Sequence, residues 1–284
     1  MGNIFSLFGS TKPETKVILI TGASSGMGKE SALTLVKRGH IVFGAARRVD
    51  KMQEIVQAGG HVVQMDVTDE KQIVQAVSHI IKEQGRIDVL VNNAGYGLMG
   101  AIEDVSMDDA RHQFDVNLFG LARLTTEVVP HMRNQGKGTI INISSVGGKI
   151  YMPFFGWYHA AKHALEGWSD CLRLELSPFN IKVVIVEPGG IKSEFAEVAT
   201  EAGTGRSKGS LYGQSIEKYL ESAKGRASHY SPPSVIADVI VKASETTHPK
   251  RRYVAGAFAR QLLFVRSWFG DAVFDLLMLR AFRN

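Results

Sequence analysis

The chain has 284 residues, 44% of them apolar and 21% charged, the composition of an ordinary water-soluble globular protein. One cysteine, Cys171, excludes an internal disulfide framework and a cysteine-rich metal site, so no metal is expected. The formal charge is +5, all of it in residues 250–284, where seven Lys/Arg face Asp271 and Asp275. The remaining residues balance 26 against 26, and the absence of a long like-charge run argues against a nucleic-acid partner.

The N-terminal residues 1–15 read as a leader without the basic start and apolar run of a secretion signal. Gly2 and Ser6 match the pattern for N-myristoylation, while a plain leader before the first strand is the preferred reading. No uncharged apolar run of about 18 residues exists to span a bilayer. The first buried strand is the β-branched run at 16–20, and it ends in Thr21-Gly22. A helix over 26–38 follows, closed by Gly39. Further strands are expected at 41–45, 61–65, 87–91, 139–143 and 181–186, with an edge strand at 252–254. The intervening helices are expected at 51–58, 69–84, 107–134, from before Tyr158 to Ser177, and at 232–246. Cys171 lies in the helical pattern Ser-Asp-Cys-Leu-Arg-Leu, where a buried structural thiol is expected. Strands alternating with helices at this spacing predict a single α/β domain over 16–256, a doubly wound parallel sheet of about seven strands in three layers.

Two stretches stand apart from that alternation. Residues 190–231 carry scattered glycines directly after a strand end, where α/β sheets bind ligands, and read as a substrate lid. Residues 257–284 are apolar and basic. They could rest on an anionic membrane, close over a pocket or form an oligomer interface. A pocket or protein contact is preferred because Asp271 and Asp275 interrupt the basic face.

Three segments carry chemistry. Gly22-x-x-x-Gly26-x-Gly28 links a strand to a helix and lets a pyrophosphate approach backbone N–H groups at the helix N-terminus. Tyr158 and Lys162 are four apart and share one face of a helix, where a cation beneath a phenol lowers its pKa. Ser145 supplies a hydroxyl upstream of both. The aromatic stretch 150–157 and Tyr96, Leu98 and Met99 form an apolar wall suited to a steroid, retinoid, acyl chain or other bulky carbonyl. Packing against the lid or a second subunit is its equal alternative.

Beyond single motifs, the chain resembles the short-chain dehydrogenase/reductase family, in its single-domain branch with a TGxxxGxG loop. The resemblance covers about residues 15–193 and 232–255. It rests on the glycine loop, Asp66-Val67, Asn92-Asn93-Ala94-Gly95, Asn117, Asn142-Ile143-Ser144-Ser145, Tyr158-x-x-x-Lys162 and Pro188-Gly189, in family order. It implies that Tyr158 is the general acid/base, that Lys162 lowers the phenol's pKa and holds the nicotinamide ribose, and that Ser145 polarises the carbonyl. The resemblance prefers Ser145 to Ser144 because the family serine stands thirteen before the tyrosine. Asn117 is expected to hold a water linking Lys162 to solvent.

The resemblance also places the cofactor. Gly22, Ser24, Ser25, Gly26, Met27 and Gly28 would cradle the phosphates, with Met27 standing where isoleucine is usual. Asp66 and Val67 would flank the adenine, and Asn93, Ala94 and Gly95 would bracket the adjoining ribose. Pro188, Gly189, Ile191 and Ser193 would hold the nicotinamide end, with Ser193 in place of the commoner threonine. Ala46 occupies the family's acidic position, and Arg47, with Arg48 beside it, suits a ribose 2′-phosphate, which implies NADP(H). The expectation is therefore an NADP(H)-dependent oxidoreductase of a small apolar carbonyl or alcohol, a dimer or tetramer in the cytoplasm, with membrane association through the tail left open. A nucleotide-binding sensor or scaffold is the alternative, and the intact Asn/Ser/Tyr/Lys set speaks against it.

Overall fold

The computed structural model describes residues 14–283, so the myristoylation pattern at Gly2 and Ser6 lies outside the described residues. Seven parallel strands form one sheet in the order β3-β2-β1-β4-β5-β6-β7. They are β1 Val17–Thr21, β2 Ile41–Ala46, β3 His61–Gln64, β4 Val89–Asn92, β5 Gly138–Ile143, β6 Ile181–Pro188 and β7 Arg252–Ala255. The order reverses between β1 and β4, so the carboxyl ends of these strands open a crevice at the middle of the sheet.

Every residue of β1 is buried, as a central parallel strand covered on both faces requires. Alternate residues serve opposite faces: Ile18 and Ile20 join one core with Ala32 and Leu35 of α1 (Gly26–Lys37) and Ile236 and Ile240 of α9 (Ser234–Glu245). Val17 and Leu19 join the other, with Ile73, Val77 and Ile80 of α3 (Glu70–Gln84) and Leu124 and Val128 of α5 (Leu121–Gln135). A short α2 (Gln53–Gln57), preceded by a single turn of 3₁₀ helix, fills the crossover expected at 51–58.

Three departures from expectation bear on function. The helix expected over 107–134 divides into α4 (Met107–Phe114) and α5, joined by a π-helical turn, Asp115–Gly120. A Cβ on Gly120 would meet the Val67 carbonyl at 2.3 Å, so this turn lies hard against the end of β3. The stretch 190–231 is largely helical, with α7 (Glu194–Ser207) and α8 (Gly213–Ala227). Gly203 sits inside α7 because a side chain there would strike Met99. Cys171 is exposed rather than buried. It lies on α6 (Gly156–Leu176), whose inward residues include Ala161, Lys162, Leu165 and Ser169, and two positions past Ser169 the side chain turns outward.

The C-terminal segment is helical over α10 (Ala259–Arg283) and is broken at Gly270, where φ is 68°. Its buried Phe274 packs with Val146, Ile150 and Tyr151. No helix among the described residues is long and apolar enough to cross a membrane.

Candidate active site

The loop between β1 and α1 is shaped by close approach. A Cβ on Gly28 would lie 2.4 Å from Asn93 Nδ2, and Gly22 adopts a φ of +66° with the Ala94 backbone only 2.9 Å from where a Cβ would sit. The loop after β4 is stitched to it. Asn93 Nδ2 donates to the Thr21 carbonyl at 2.9 Å, and Thr21 Oγ1 accepts from the N–H groups of Asn93 and Ala94 at 3.0 and 2.9 Å. The N-cap residue of α1, Ser25, makes no capping bond with its side chain and no acidic residue occupies the first turn, so among the described residues its N–H groups are open to an outside anion. That arrangement fits a dinucleotide pyrophosphate.

At the rim, Arg47 projects from the end of β2 with its side chain 72% exposed, 3.9 Å from Asp66. Asp66 is held in turn by the Thr68 N–H and hydroxyl at 2.9 and 2.8 Å. Arg48 reaches further in, to Glu194 at 3.2 Å and to Ser24 Oγ at 3.5 Å. Glu194 also bonds Ser25, and the Arg48 guanidinium holds its carboxyl below the usual range. An open cavity of about 390 Å³ lies here, lined by Ser24, Ser25, Gly26, Lys29, Lys51 and Glu194 among others. Lys29, Lys51 and Glu194 were not singled out in the sequence. Their only signal was proximity in the chain to the glycine loop, to Arg48 and to Ser193.

The end of β5 turns into a 3₁₀ helix, Val146–Gly148, capped by Ser145, whose Oγ accepts from the Gly147 N–H at 3.0 Å. Ser145 also bonds the Tyr158 hydroxyl. Ser144, by contrast, is buried. The expected depression of the Tyr158 pKa is corrected here: protein crowds the phenol, and burial pushes it up to about 12 against the opposing pull of Ser145. Lys162 spends one N–H on the Ile143 carbonyl at 2.8 Å, and burial lowers its pKa to about 8, with Glu166 one turn on opposing the shift.

His159, unnoticed in the sequence, fixes the chain between these groups. Its Nδ1 donates to the Gly147 carbonyl at 2.8 Å and its Nε2 accepts from the Met152 N–H at 3.1 Å. These partners require the neutral ring, and burial lowers its pKa accordingly. Asn117 sits buried in the π turn with its side chain committed to the Tyr96 backbone, accepting from N–H at 3.1 Å and donating to the carbonyl at 2.9 Å.

Beyond β6, the Pro188-Gly189-Gly190 turn passes so close to Ala257 that a Cβ on Gly189 would lie 2.3 Å from its carbonyl. Ile191 is buried, and Ser193 starts α7 facing Gly26 across a would-be Cβ separation of 3.4 Å. Phe195, also without a signal in the sequence, stands 5.5 Å from the Tyr158 ring and fills the space beside Gly97. Much of the aromatic wall packs on the lid: Phe154 meets Tyr212 and Phe155 meets Tyr219, while Trp157 packs with Leu98 and Val105.

Behind Lys162 lies a charge cluster in which Glu166 and Glu187 are buried and their partners half-buried or exposed. Arg252 Nη2 lies 3.1 Å from Glu166 Oε2 and also bonds Asp170, while Lys149 stands 3.1 Å from Glu166. Glu187 is 3.2 Å from Arg252 Nε, within ion-pair range but poorly aligned for a hydrogen bond. Burial, reinforced by the charge on Glu166, raises the Glu187 pKa to about 7. A folded-state value above the unfolded 4.5 means that Glu187 favours folding at acid pH and that this contribution is lost as pH rises through about 7. Glu187→Gln is therefore expected to gain stability relative to the parent as pH rises over that interval, read from denaturant midpoints. A relative loss would reverse the assigned sign.

A profile described as short chain dehydrogenase matches residues 16–203. The 3-ketodihydrosphingosine reductase of Bacteroides thetaiotaomicron is 37% identical over 267 residues, covering 91% of this chain and 94% of the relative. A short-chain dehydrogenase from Streptomyces avermitilis superposes with a TM-score of 0.78 at 33% identity, covering 93% of this chain and 96% of that one. The closed form of a serine dehydrogenase complexed with NADP+ gives a TM-score of 0.72 at 25% identity, covering 84% and 94%. The chain belongs to the short-chain dehydrogenase family, oxidoreductases of CH–OH and C=O groups that use NAD(P)(H).

Proposed function

We infer that the protein interconverts a bulky apolar ketone or aldehyde and its alcohol with NADP(H). The observation that carries this reading is the convergence of Ser145, Tyr158 and Lys162 at the carboxyl edge of the sheet, beside a glycine-walled helix N-terminus that its own N-cap residue Ser25 leaves uncapped. The choice of NADP(H) is supported by β2, which ends in Ala46 and delivers two arginines, Arg47 and Arg48, to the rim instead of a carboxylate. The apolar substrate is supported by Phe155 and Phe195, both packed on the Tyr158 ring.

When bound, the nicotinamide supplies or accepts the hydride. The chain's own residues manage the oxygen. A phenol with a pKa near 12 is protonated throughout the neutral range and can donate its proton to a substrate oxygen gaining charge. Ser145 Oγ is oriented by the Gly147 N–H, leaving its hydrogen for the same oxygen. Lys162 keeps two N–H groups beyond the one given to Ile143, for the ribose and the phenol. Its pKa near 8 lets it carry charge at neutral pH and still release a proton to restore Tyr158. Because the Asn117 side chain is committed to Tyr96, the relay water assigned to it would be held by its main chain. The rings of Phe155 and Phe195 keep bulk water from the reacting carbon.

The test is consumption of NADPH by the purified protein with a long-chain 3-keto amphiphile, of the type named for the Bacteroides relative, a steroid ketone, retinal and a small polar aldehyde. Turnover of the bulky apolar compounds well above the polar one is expected. Preference for the polar aldehyde would overturn the substrate class, and no consumption with any compound would overturn the reading as a whole.

A further inference from the structure

Half of the exposed large apolar side chains of the described residues fall between 258 and 279. Phe264, Trp268 and Phe269 form one aromatic cluster, with ring separations of 5.7 and 6.0 Å from Phe264, and Trp268 is 77% exposed. Past the break at Gly270, Val273, Leu276 and Leu277 are exposed and share a helical face with Arg280. The inner side of α10 is already anchored, through Phe274, Leu262 and Met278 against Val146 and Ile150. The outer side therefore contributes nothing to this core, and exposed apolar area on this scale marks an interaction surface.

The charges around that face decide its partner. Asp271 and Asp275 argued in the sequence against a lipid surface, but both, though exposed, are held by side chains of the protein. Asp275 accepts from the Tyr151 hydroxyl at 2.7 Å, and Asp271 pairs with Arg266 and contacts Tyr151. Lys250, Arg251, Arg260 and Arg280 are exposed and form no ion pair among the described residues. Lys250 and Arg260 line a groove of about 450 Å³ together with Tyr253, Phe264 and Trp268, so cations and aromatics share one site. A second copy meeting this face across a twofold axis would set these same cations against each other. A bilayer with anionic headgroups offers the opposite charge and an apolar layer for the rings beneath it.

We propose that the outer face of α10, with Lys250, Arg251 and Arg260 at its rim, seats the protein on an anionic lipid surface. The helix lies in the interface and does not cross it. The proposal is independent of the catalytic reading, since its test measures binding alone.

The experiment is co-sedimentation of the full chain with vesicles of phosphatidylcholine, with and without about one third phosphatidylglycerol. Binding to the anionic vesicles only, weakened by salt and accompanied by a blue shift of tryptophan emission that Trp268→Phe removes, is the expected result. Phe264→Ser with Trp268→Ser should weaken binding at least about tenfold. Lys250→Gln with Arg260→Gln should weaken it roughly twentyfold or more, at roughly fivefold per cation. Leu174→Ser, at an exposed apolar position on α6, should leave binding unchanged. Circular dichroism melts verify that each variant is folded. Failure to sediment with either vesicle, equal binding to both, or loss of a dimer in the aromatic variant without loss of lipid binding would overturn the proposal.

Discussion

Tyr158→Phe is expected to lower kcat about a thousandfold while leaving NADPH affinity within about twofold of the parent, on the scale of a lost general acid. The substitution removes one oxygen and keeps the ring, so the contacts with Phe155 and Phe195 survive. Lys162 keeps its bond to the Ile143 carbonyl and stays in place for the ribose. What disappears is the proton donor and the partner of Ser145. Steady-state turnover together with NADPH binding by fluorescence separates the two effects, and unchanged turnover would refute the assignment. The same chemistry predicts the alkaline limb of the parent. Reduction should fall as pH rises through about 8, where Lys162 loses its charge, long before the phenol at about 12 could ionise.

Arg47→Asp should weaken NADPH about thirtyfold, about 2 kcal/mol, and NADH hardly at all. Arg47 is largely exposed and its one ionic contact among the described residues, Asp66, is 3.9 Å away, so the fold gains little from it and the effect belongs to the ligand. An aspartate there would repel a 2′-phosphate and could accept from a ribose hydroxyl. Binding constants for both nucleotides decide the matter, and equal losses for the two would remove Arg47 from the phosphate site.

The sheet was legible because buried parallel strands write themselves as β-branched runs. The glycine loop was legible because close backbone approach leaves only glycine. Gly28 against Asn93 and Gly22 against Ala94 are the contacts behind that pattern. The family resemblance rested on those motifs, and the matches to known dehydrogenases agree with it. What stayed hidden was decided by tertiary contact. The π turn at Asp115–Gly120 depends on the approach of Gly120 to the Val67 carbonyl, which no local pattern encodes. The helices within 190–231 were obscured by glycines, of which Gly203 answers to Met99. Cys171 required the rotation of α6 to be known to within two residues. Phe195 and His159 had no motif of their own, and only the folded chain brings them to Tyr158 and Gly147. The tail's acids could not be read as partnered without Tyr151 and Arg266 to receive them.

The neutral ring of His159 has a further consequence, felt jointly with Glu187. A histidine whose folded pKa lies below its unfolded 6.5 stabilises the fold above that value, and this contribution is lost as pH falls. Glu187 acts in the opposite sense, losing its contribution as pH climbs from 4.5 through about 7. Over mildly acid pH the two slopes oppose each other. One residue holds the loop after Ser145 and the other ends the strand leading to Pro188, so the two walls of the cleft carry antagonistic proton linkages. Their partial cancellation buffers the folded cleft against acidification that either residue alone would register.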